Sequence, residues 1–499
     1  MINKISLENF KGFKDLKNIK LKPITILAGT NSCGKSSILQ SILLMKQTLE
    51  SKTLNQTLLL NGRFVHLGNF ENVIYGKDSS KSIKLGISYN VKKEKFSSDI
   101  TGPLPFHFIF RHILTEKSFD LPQAEYQINY YVWIKNIENT KSKSYIKPTI
   151  VEKVDLEIKV KTNDNKEFTE SYFRAELTET KNIYSCLWKL PNDRRSKSED
   201  DFIKGKDKFK IKFINLVPNS FEVDNPKSYN KNHDIDIYFY VLDSLIKHIF
   251  NSVTYVGPLR EEPSRRYIYE DEVIEIGVKG ENAAYIFLSE SDKLIDNVHF
   301  FNKDENKFYK ENQTTLGNSV NKWNDLFKIK NFKAEPSQEV IRLNLDSSNN
   351  ENTRVNIADV GFGVSQIFPI VLEGLRMKKD ATMLLEQPEI HLHPKIQMQL
   401  ADYFISLALS QKNLIIETHS EHIINRLVRR IVEDTEFDLN EYIGIYFIEP
   451  TANGSKFTPI KVNEVSGIIN WPKDFFDQTA NEQEQIILAS INKRKNRNE

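Results

Sequence analysis

Eight consecutive residues near the start of the chain, Gly29 to Ser36, have the types and spacing needed to hold phosphate groups. They read Gly-Thr-Asn-Ser-Cys-Gly-Lys-Ser and match G-x-x-x-x-G-K-[ST] in full. The glycines let backbone N–H groups point at phosphate oxygens, Lys35 reaches the outer phosphates, and Ser36 offers a hydroxyl to Mg²⁺. The residues expected around a bound nucleotide in this loop are Asn31, Ser32, Cys33, Gly34, Lys35, Ser36 and Ser37.

A second group of residues capable of chemistry lies in the last third of the chain. Ala381 to Glu386 is an apolar run that ends in an acid, the form of a Walker B strand whose terminal carboxylate holds Mg²⁺. Ser36 and Glu386 are therefore the predicted metal ligands. A further apolar run, Ile415 to Ile416, leads to His419, which we place at the same ligand-binding edge of an open α/β sheet.

A segment of small residues, Asp359 to Gln366, precedes the acid-ended strand. On its own this segment is more typical of a helix N-cap. Its position just before the strand favours close approach to a phosphate. Gly363, Ser365 and Gln366 are the predicted contacts.

The elements that must position these residues are readable from hydrophobic periodicity. The first phosphate-loop residues follow an apolar run, Ile19 to Leu27, and open a predicted helix, Lys35 to Leu49, with one apolar stripe. In the last third, strands alternate with helices, which predicts a parallel sheet. The predicted strands and helices there are Ala381 to Leu385, Pro394 to Leu409, Asn413 to Ile416, Ser420 to Val432 and Tyr442 to Ile448.

The middle of the chain has a different pattern. Residues 85–215 contain short segments rich in Tyr, Phe, Ile and Val, which predict an inserted β-rich region, and Ile235 to Phe250 has helical periodicity. Asn192 to Lys206 is so rich in charge that we expect a solvent-facing loop. The predicted domains are residues 1–85 as the N-terminal part of a head, 86–250 as the insertion, 251–450 as the C-terminal part of the head, and 451–499 as an extension.

Composition limits the class of protein. With 69 Lys and Arg against 67 Asp and Glu in 499 residues, the net charge is +2, so any nucleic-acid surface must come from local segregation of charge. The longest uncharged apolar stretch, Val360 to Leu372, is shorter than the ~18–20 residues that cross a bilayer. Only two cysteines are present, and we expect a reduced, cytoplasmic protein.

Phosphate loop, small-residue segment, acid-ended strand and strand-end histidine, in that order, resemble the ABC-type ATPase heads of the SMC, RecF and OLD group. Within this group, Phe10 to Phe13, Glu386 to Pro394 and Thr418 to Ser420 resemble runs in bacterial AAA-like ATPases of anti-phage systems, including the Septu-type ATPase. The resemblance covers about 1–85 and 250–450. It implies an α/β fold, a P-loop ABC-type ATPase head with a mainly parallel sheet and an antiparallel β-rich lobe.

The resemblance also implies roles and partners. The cofactors would be ATP and Mg²⁺, and the heads would form a homodimer or a higher even oligomer. Gly363 and Ser365 would contact the γ-phosphate held by the other head, and His419 would sense the γ-phosphate in its own head. The partner would be a separately encoded nuclease of HNH type, with nucleic acid open as a further partner and no membrane.

One position departs from the related heads. Those heads have a glutamate directly after the Walker B acid, and this chain has Gln387. An amide can orient water but cannot accept its proton at neutral pH. We therefore favour slow hydrolysis, with Glu386, Gln387, Glu389 and His419 as the catalytic group and Glu389 as the alternative base.

Several alternatives stay open at this stage. The function could instead be that of a RecF-like DNA-repair or DNA-clamping ATPase without an effector, or of a scaffold locked by ATP. His391 and His393 could bind a metal or shape the loop after the acid-ended strand. Arg260, Arg265 and Arg266 could touch phosphate or form a solvated loop face. The 80 residues after His419 (499 minus 419) suggest no second catalytic domain.

Overall fold

A computed structural model describes most of the chain. The described residues are 1–31, 33–52, 57–92, 113–115, 118, 121, 123–137, 148–164, 166–179, 182–191, 202–223, 232–268, 275–338, 340–347, 350–472 and 478–495. The predicted loop residue Ser32 lies outside them. Among the described helices, none is long and apolar enough to cross a membrane.

The described part contains 23 strands. In chain order they are β1 Ile2–Phe10, β2 Phe13–Lys20, β3 Ile24–Gly29, β4 Ile83–Lys92, β5 Glu125–Asn136, β6 Thr149–Lys161, β7 Glu167–Glu179, β8 Ile183–Pro191, β9 Phe202–Ile214, β10 Val217–Val223, β11 Val253–Val256, β12 Tyr267–Ile268, β13 Leu294–Asn302, β14 Lys307–Thr315, β15 Lys333–Ser337, β16 Val340–Ser347, β17 Asn350–Asn356, β18 Thr382–Glu386, β19 Asn413–Glu417, β20 Ile443–Thr451, β21 Gly454–Ile460, β22 Val462–Asn463 and β23 Gly467–Ile468.

Ten α-helices accompany these strands in the described part. They are α1 Lys35–Leu49, α2 Phe70–Val73, α3 Asn232–Asn251, α4 Ala283–Glu290, α5 Leu316–Leu326, α6 Phe362–Arg376, α7 Pro394–Leu409, α8 Glu421–Glu433, α9 Leu439–Tyr442 and α10 Gln478–Lys495.

Two large sheets organise the molecule. One has six strands in the order β11-β18-β19-β3-β20-β21, with every pair parallel except β20 and β21. The other has nine antiparallel strands in the order β10-β9-β8-β7-β6-β5-β4-β1-β2. The predicted α/β class, with a mainly parallel sheet and an antiparallel β-rich lobe, is confirmed.

The strands of the six-stranded sheet are apolar on both faces because both faces are covered. Leu384 and Ile415 point into a core shared with the nine-stranded sheet, α1 and α3. Their neighbours Met383, Leu385 and Ile416 point to the opposite face, into a core formed with α6, α7 and α8. The two-residue period of the strands thus divides each strand between two cores.

The bounds of α1 and α7 are those predicted, and the strands of the last third lie within a few residues of their predicted positions. Two predictions were wrong in part. The apolar run Ile19 to Leu27 is not one strand, because Pro23 has no N–H for a ladder and a turn separates β2 from β3. In the predicted loop Asn192 to Lys206, residues 202–206 belong to β9, and residues 192–201 lie outside the described residues.

The nine-stranded sheet includes β1 and β2 from the predicted head and β5 to β10 from the predicted insertion. Strand β4 lies between them and continues through residue 85. The domain bounds 1–85, 86–250, 251–450 and 451–499 remain our proposal for the organisation of the chain.

Candidate nucleotide site

The phosphate loop connects the central strand β3 to α1, and two of its glycines have backbones that a side chain would disturb. Gly34 has φ +103° and is the N-cap of α1. Gly29 has φ +151°, and a Cβ there would lie 2.1 Å from the carbonyl oxygen of Ile448 on the neighbouring strand. Only glycine fits this close approach.

The side chain of Lys35 is buried and lies over its own loop. Its ammonium donates hydrogen bonds to the carbonyl oxygens of Gly29 at 3.0 Å and Thr30 at 2.7 Å. Cys33 is buried beneath the loop, with its sulfur 3.8 Å from the same ammonium. Asn31 is exposed and Ser37 is buried in the first turn of α1. The loop therefore concentrates positive charge where the motif predicts phosphates.

Two carboxylates stand side by side at the edge of the sheet next to this loop. Glu386 ends β18 and Glu417 ends β19, and the two residues are direct partners in the parallel register. The hydroxyl of Ser36 donates to Oε1 of Glu417 at 3.0 Å. Oε2 of Glu417 is buried and has no hydrogen-bond partner among the described residues. Glu417 is thus part of the site.

Sequence reasoning missed Glu417. The signal was present, because Asn413 to Glu417 is an apolar run ending in an acid, as is the run before Glu386. We assigned the function of this strand to His419 alone. An acid directly after an apolar run is the sequence feature that identifies Glu417, as it identifies Glu386.

The electrostatics of this carboxylate pair are unusual. Burial, followed by the charge of Glu417, raises the pKa of Glu386 to about 7, against the hydrogen bond that Tyr255 donates to it at 3.0 Å. Burial also raises the pKa of Glu417, although the hydrogen bond from Ser36 opposes the shift. A bound cation would favour the charged form of both adjacent acids.

The residues present fit a divalent cation bound together with phosphates. Ser36, Glu386 and Glu417 offer hard oxygen ligands, and Glu417 has one oxygen without a partner. Within the described ranges no cluster of three or more His, Cys, Asp or Glu could hold a metal. Mg²⁺ usually keeps water and substrate phosphate among its ligands and binds through one or two carboxylates.

The alternative metal ligands serve other purposes. The ring of His391 packs on Phe362, with 5.8 Å between ring centres. Nδ1 of His393 accepts a hydrogen bond from the backbone N–H of Lys395 and so caps α7. Both histidines therefore shape the loop after β18, which is the second of the two roles considered for them from the sequence.

The remaining predicted catalytic residues meet in the turn between β18 and α7. Gln387 has φ +45°, and its N–H donates to the carbonyl oxygen of Glu417 at 2.8 Å. The carboxylate of Glu389 accepts from the Thr418 hydroxyl at 2.8 Å and from the His419 N–H at 2.6 Å. Burial raises the pKa of Glu389. Partial burial and then the charge of Lys35 lower the pKa of His419, which favours a neutral ring.

Arg260 supports this turn from below, a role the sequence did not reveal. It is only 5% exposed, and its Nη2 donates to the carbonyl oxygens of Glu386 at 2.9 Å and Gln387 at 3.0 Å. Burial lowers the pKa of Arg260 to about 10, so the guanidinium stays charged near pH 7. The solvated-loop interpretation is wrong for this residue.

The magnitudes indicate why the turn is stable. A left-handed backbone at a residue other than glycine costs about 1–2 kcal/mol. A hydrogen bond from a charged donor contributes about 1.5–3 kcal/mol, and Arg260 makes two to this turn. The guanidinium can therefore hold Gln387 in its conformation.

The other two arginines of the predicted basic cluster lie on the surface. Arg265 is exposed and pairs with Asp359, and Arg266 is also exposed.

The small-residue segment lies on the other side of the same turn. Gly361 has φ +85° and begins α6, and the Ser365 hydroxyl donates to the carbonyl oxygen of Phe362 at 2.8 Å. Ser365 and Gln366 are buried, whereas Gly363 is partly exposed next to the backbone of His391. Among the described residues, no hydrogen bond joins this segment to the phosphate loop of the same chain.

Comparison with known proteins adds family information. A family model described as an AAA ATPase domain matches residues 1–424. A second, described as a protein of unknown function, matches residues 440–486. The DNA replication and repair protein RecF of Cytophaga hutchinsonii is 33% identical over 115 residues, which are 22% of this chain and 28% of RecF. The match thus spans little more than a quarter of that relative.

Solved structures with overall similarity include two SMC heads. The Smc head bound to the C-winged helix domain of ScpA is 11% identical, with a TM-score of 0.42 over 93% of this chain and 98% of the other. The SMC head domain from Thermotoga maritima is 10% identical, with a TM-score of 0.35 over 92% and 99%. The α/β fold of this chain is defined by the strand order and the register of its two large sheets.

The raised pKa of Glu386 makes a prediction for cation binding. Below pH 7 this carboxylate is protonated and cannot ligate Mg²⁺, so its contribution to Mg²⁺ affinity should decline, approaching about tenfold per pH unit. Titration of Mg²⁺ into the protein with a fluorescent ATP analogue, from about pH 6 to pH 8, measures this affinity.

The γ-phosphate titrates near the same range, so the wild-type profile is compared with that of Glu386→Gln, which should be shallower. Glu449→Gln, at an exposed ion pair with Lys456, is the matched control and should behave as wild type. Equal profiles for wild type and Glu386→Gln would contradict the assignment.

Proposed function

We propose, because this chain belongs to the AAA ATPase domain family, that it binds ATP with Mg²⁺, hydrolyses it slowly, and uses the nucleotide to lock two heads together. The observation that carries the proposal is the hydrogen bond from the Ser36 hydroxyl, next to the Lys35 loop, to Glu417, which is paired with Glu386 at the ends of adjacent strands. This arrangement offers oxygen ligands for a cation and donors for phosphate at one sheet edge.

Each side chain has a distinct role in the proposed nucleotide site. Lys35 would exchange its bonds to the loop carbonyl oxygens for phosphate oxygens, while the N–H groups at the start of α1 face the same anion. Ser36, Glu386 and Glu417 would hold Mg²⁺. When bound, Mg²⁺ neutralises charge on the β- and γ-phosphates. His419, largely neutral, would contact the γ-phosphate as a hydrogen-bond partner rather than as a cation.

Slow hydrolysis follows from the residues near the attacking water. Gln387 can orient a water molecule but cannot take its proton. Glu389, the alternative base, already accepts hydrogen bonds on both carboxylate oxygens from Thr418 and His419. These hydrogen bonds lower the pKa of Glu389 against the effect of burial, and so oppose its use as a base. The arrangement supports a nucleotide-binding role with weak turnover.

Dimerisation through nucleotide is supported by the position of the small-residue segment. Within one chain Gly363 and Ser365 do not bond to the phosphate loop, although their sequence suits phosphate contact. A second head placed head to tail would bring them to the γ-phosphate. Phe362, beside them, is 48% exposed, which is unusual for a phenylalanine and suits an interface.

We further propose that the locked dimer controls a separately encoded effector in anti-phage defence, an HNH-type nuclease, as the Septu-type resemblance implies. The main alternative is a DNA-clamping or DNA-repair ATPase without an effector, for which the partial match to RecF is the supporting observation.

Co-purification separates these two functions. The defence proposal expects a nuclease encoded by an adjacent gene to bind this chain with a fixed stoichiometry, more tightly with ATP. The alternative expects no such partner and an ATPase rate that rises with DNA ends. Nuclease activity from this chain alone would contradict both.

Turnover measurements test the role of Gln387. We expect a wild-type rate well below about 10 per second. Gln387→Glu should raise the rate by about 10²–10⁴ because it restores a general base. Glu389→Gln is the matched control and should change the slow wild-type rate little. A rapid wild-type rate that survives Glu389→Gln would overturn the proposal of slow hydrolysis.

Mass measurement tests the nucleotide lock. We expect the 58.1 kDa chain to double its mass with ATP and Mg²⁺ and to return to a monomer when the nucleotide is removed. Lys35→Ala should lose both nucleotide binding and the doubling. Gly363→Asp should bind nucleotide in its own loop but remain monomeric, because a Cβ fits there while the carboxylate repels a γ-phosphate. A dimer that is independent of ATP and persists in Lys35→Ala would support the scaffold alternative instead.

A further inference from the structure

Strand β9 carries a row of lysines on one face. Its apolar residues Phe209 and Ile211 are buried in the core beneath the nine-stranded sheet. Because side chains alternate along a strand, the intervening residues face away from that core. These residues are five lysines, all exposed: Lys204, Lys206, Lys208, Lys210 and Lys212.

The register shows what surrounds this lysine row. On β8 the residues opposite Lys204, Lys206 and Lys208 are a lysine, a leucine and a serine. On β10 a serine lies opposite Lys212, and Glu222 lies opposite Lys210. Directly opposed residues share a face of the sheet. The row is therefore flanked by a single carboxylate across its immediate neighbours.

Most of the lysine row forms no ion pair with a carboxylate in the described part of the chain. Lys210 pairs with Glu222 at 2.6 Å. For Lys204, Lys206, Lys208 and Lys212, no carboxylate of the described residues forms an ion pair. Like charges at alternate positions of one strand repel each other.

Strands β6 and β7, further along the same sheet, differ in their charge pairing on the face away from the core. On β6, Lys153 pairs with Glu176 and Lys159 pairs with Glu167. Arg174 on β7 pairs with an aspartate of β6. Those strands neutralise their own charge, which is the usual state of a solvated sheet face. The lysine row therefore needs another explanation, and a chain with a net charge of only +2 has segregated its charge there.

We propose that the lysine row binds the phosphate backbone of a nucleic-acid duplex without reading its sequence. The five lysines are spaced by about 6.6–6.8 Å and span about 27 Å, the rise of roughly eight base pairs. Lysine is a point charge that suits phosphates, whereas base reading favours forked arginine. From Lys204 to Lys212, the outward positions of β9 carry no aromatic residue for stacking, which disfavours single strands. This inference depends only on charge and is independent of the nucleotide chemistry proposed above.

Salt dependence of binding tests the proposal with the full chain. A fluorescent DNA duplex of about 20 base pairs is titrated with protein, and the affinity is followed by anisotropy at several salt concentrations. The affinity of Lys206→Ala/Lys208→Ala should fall, and the slope of log affinity against log salt should be less steep by about 1.8, or 0.9 for each lost phosphate contact. The matched control is Lys293→Ala/Lys307→Ala, which removes the same charge from exposed ion pairs elsewhere and should keep the wild-type slope.

Other outcomes decide against the proposal. Equal slopes for the two double variants would mean that the lysine row does not touch phosphate. If single-stranded DNA bound with the same affinity and the same dependence on salt, the assignment of a duplex as the ligand would be wrong. Binding to phosphatidylserine vesicles without binding to the duplex would assign the row to a membrane surface. Unchanged affinity for the ATP analogue confirms that each variant is folded, and keeps failure of this inference distinct from failure of the nucleotide site.

Discussion

Two acids held next to each other at one sheet edge are the constraint on which the rest of the site depends. Parallel pairing of β18 with β19 fixes Glu386 beside Glu417, and burial makes their joint ionisation unfavourable. The structure meets this cost with donors from distant elements, Ser36 at the start of α1 and Tyr255 at the end of β11. A bound divalent cation would offset the remaining negative charge. Phosphate loop, acids and donors therefore act as one electrostatic unit.

The turn after β18 connects this unit to the rest of the head. Its backbone is held from three directions: Gln387 donates to the end of β19, Arg260 binds two of its carbonyl oxygens, and Glu389 holds the start of the next turn at His419. Such a turn cannot move at one residue alone. The His391 side of this turn packs against the small-residue segment of α6, so the acids and that segment border the same turn.

Local signals in the sequence were sufficient for much of this. The phosphate loop has a fixed pattern, and the stripes of α1 and α7 define those helices almost to the residue. The class of sheet followed from alternating strands and helices. The acid at the end of the Asn413 to Glu417 run could have been identified locally, but its hydrogen-bond partner Ser36 lies 381 residues away. The role of Arg260 depends on a contact with Glu386, 126 residues away, and has no local signal. No local pattern encodes which strand ends become neighbours. The wrong strand at Ile19 to Leu27 shows the same limit, since one proline outweighed an apolar run.

The place of β3 in its sheet has a consequence for how the chain becomes a structure. This strand is the neighbour of β19 and β20, and its Ile24 pairs with residues 390 positions later in β19 (414 minus 24) and 419 positions later in β20 (443 minus 24). During synthesis, residues of the nine-stranded sheet, with partners mostly adjacent in sequence, leave the ribosome first and can pair early. Strand β3 leads into the phosphate loop, and both of its neighbours in the sheet are present only after β20 has been synthesised. A chain that ends before β20 therefore lacks one of the two strands that flank β3, and so lacks part of the sheet that positions the phosphate loop.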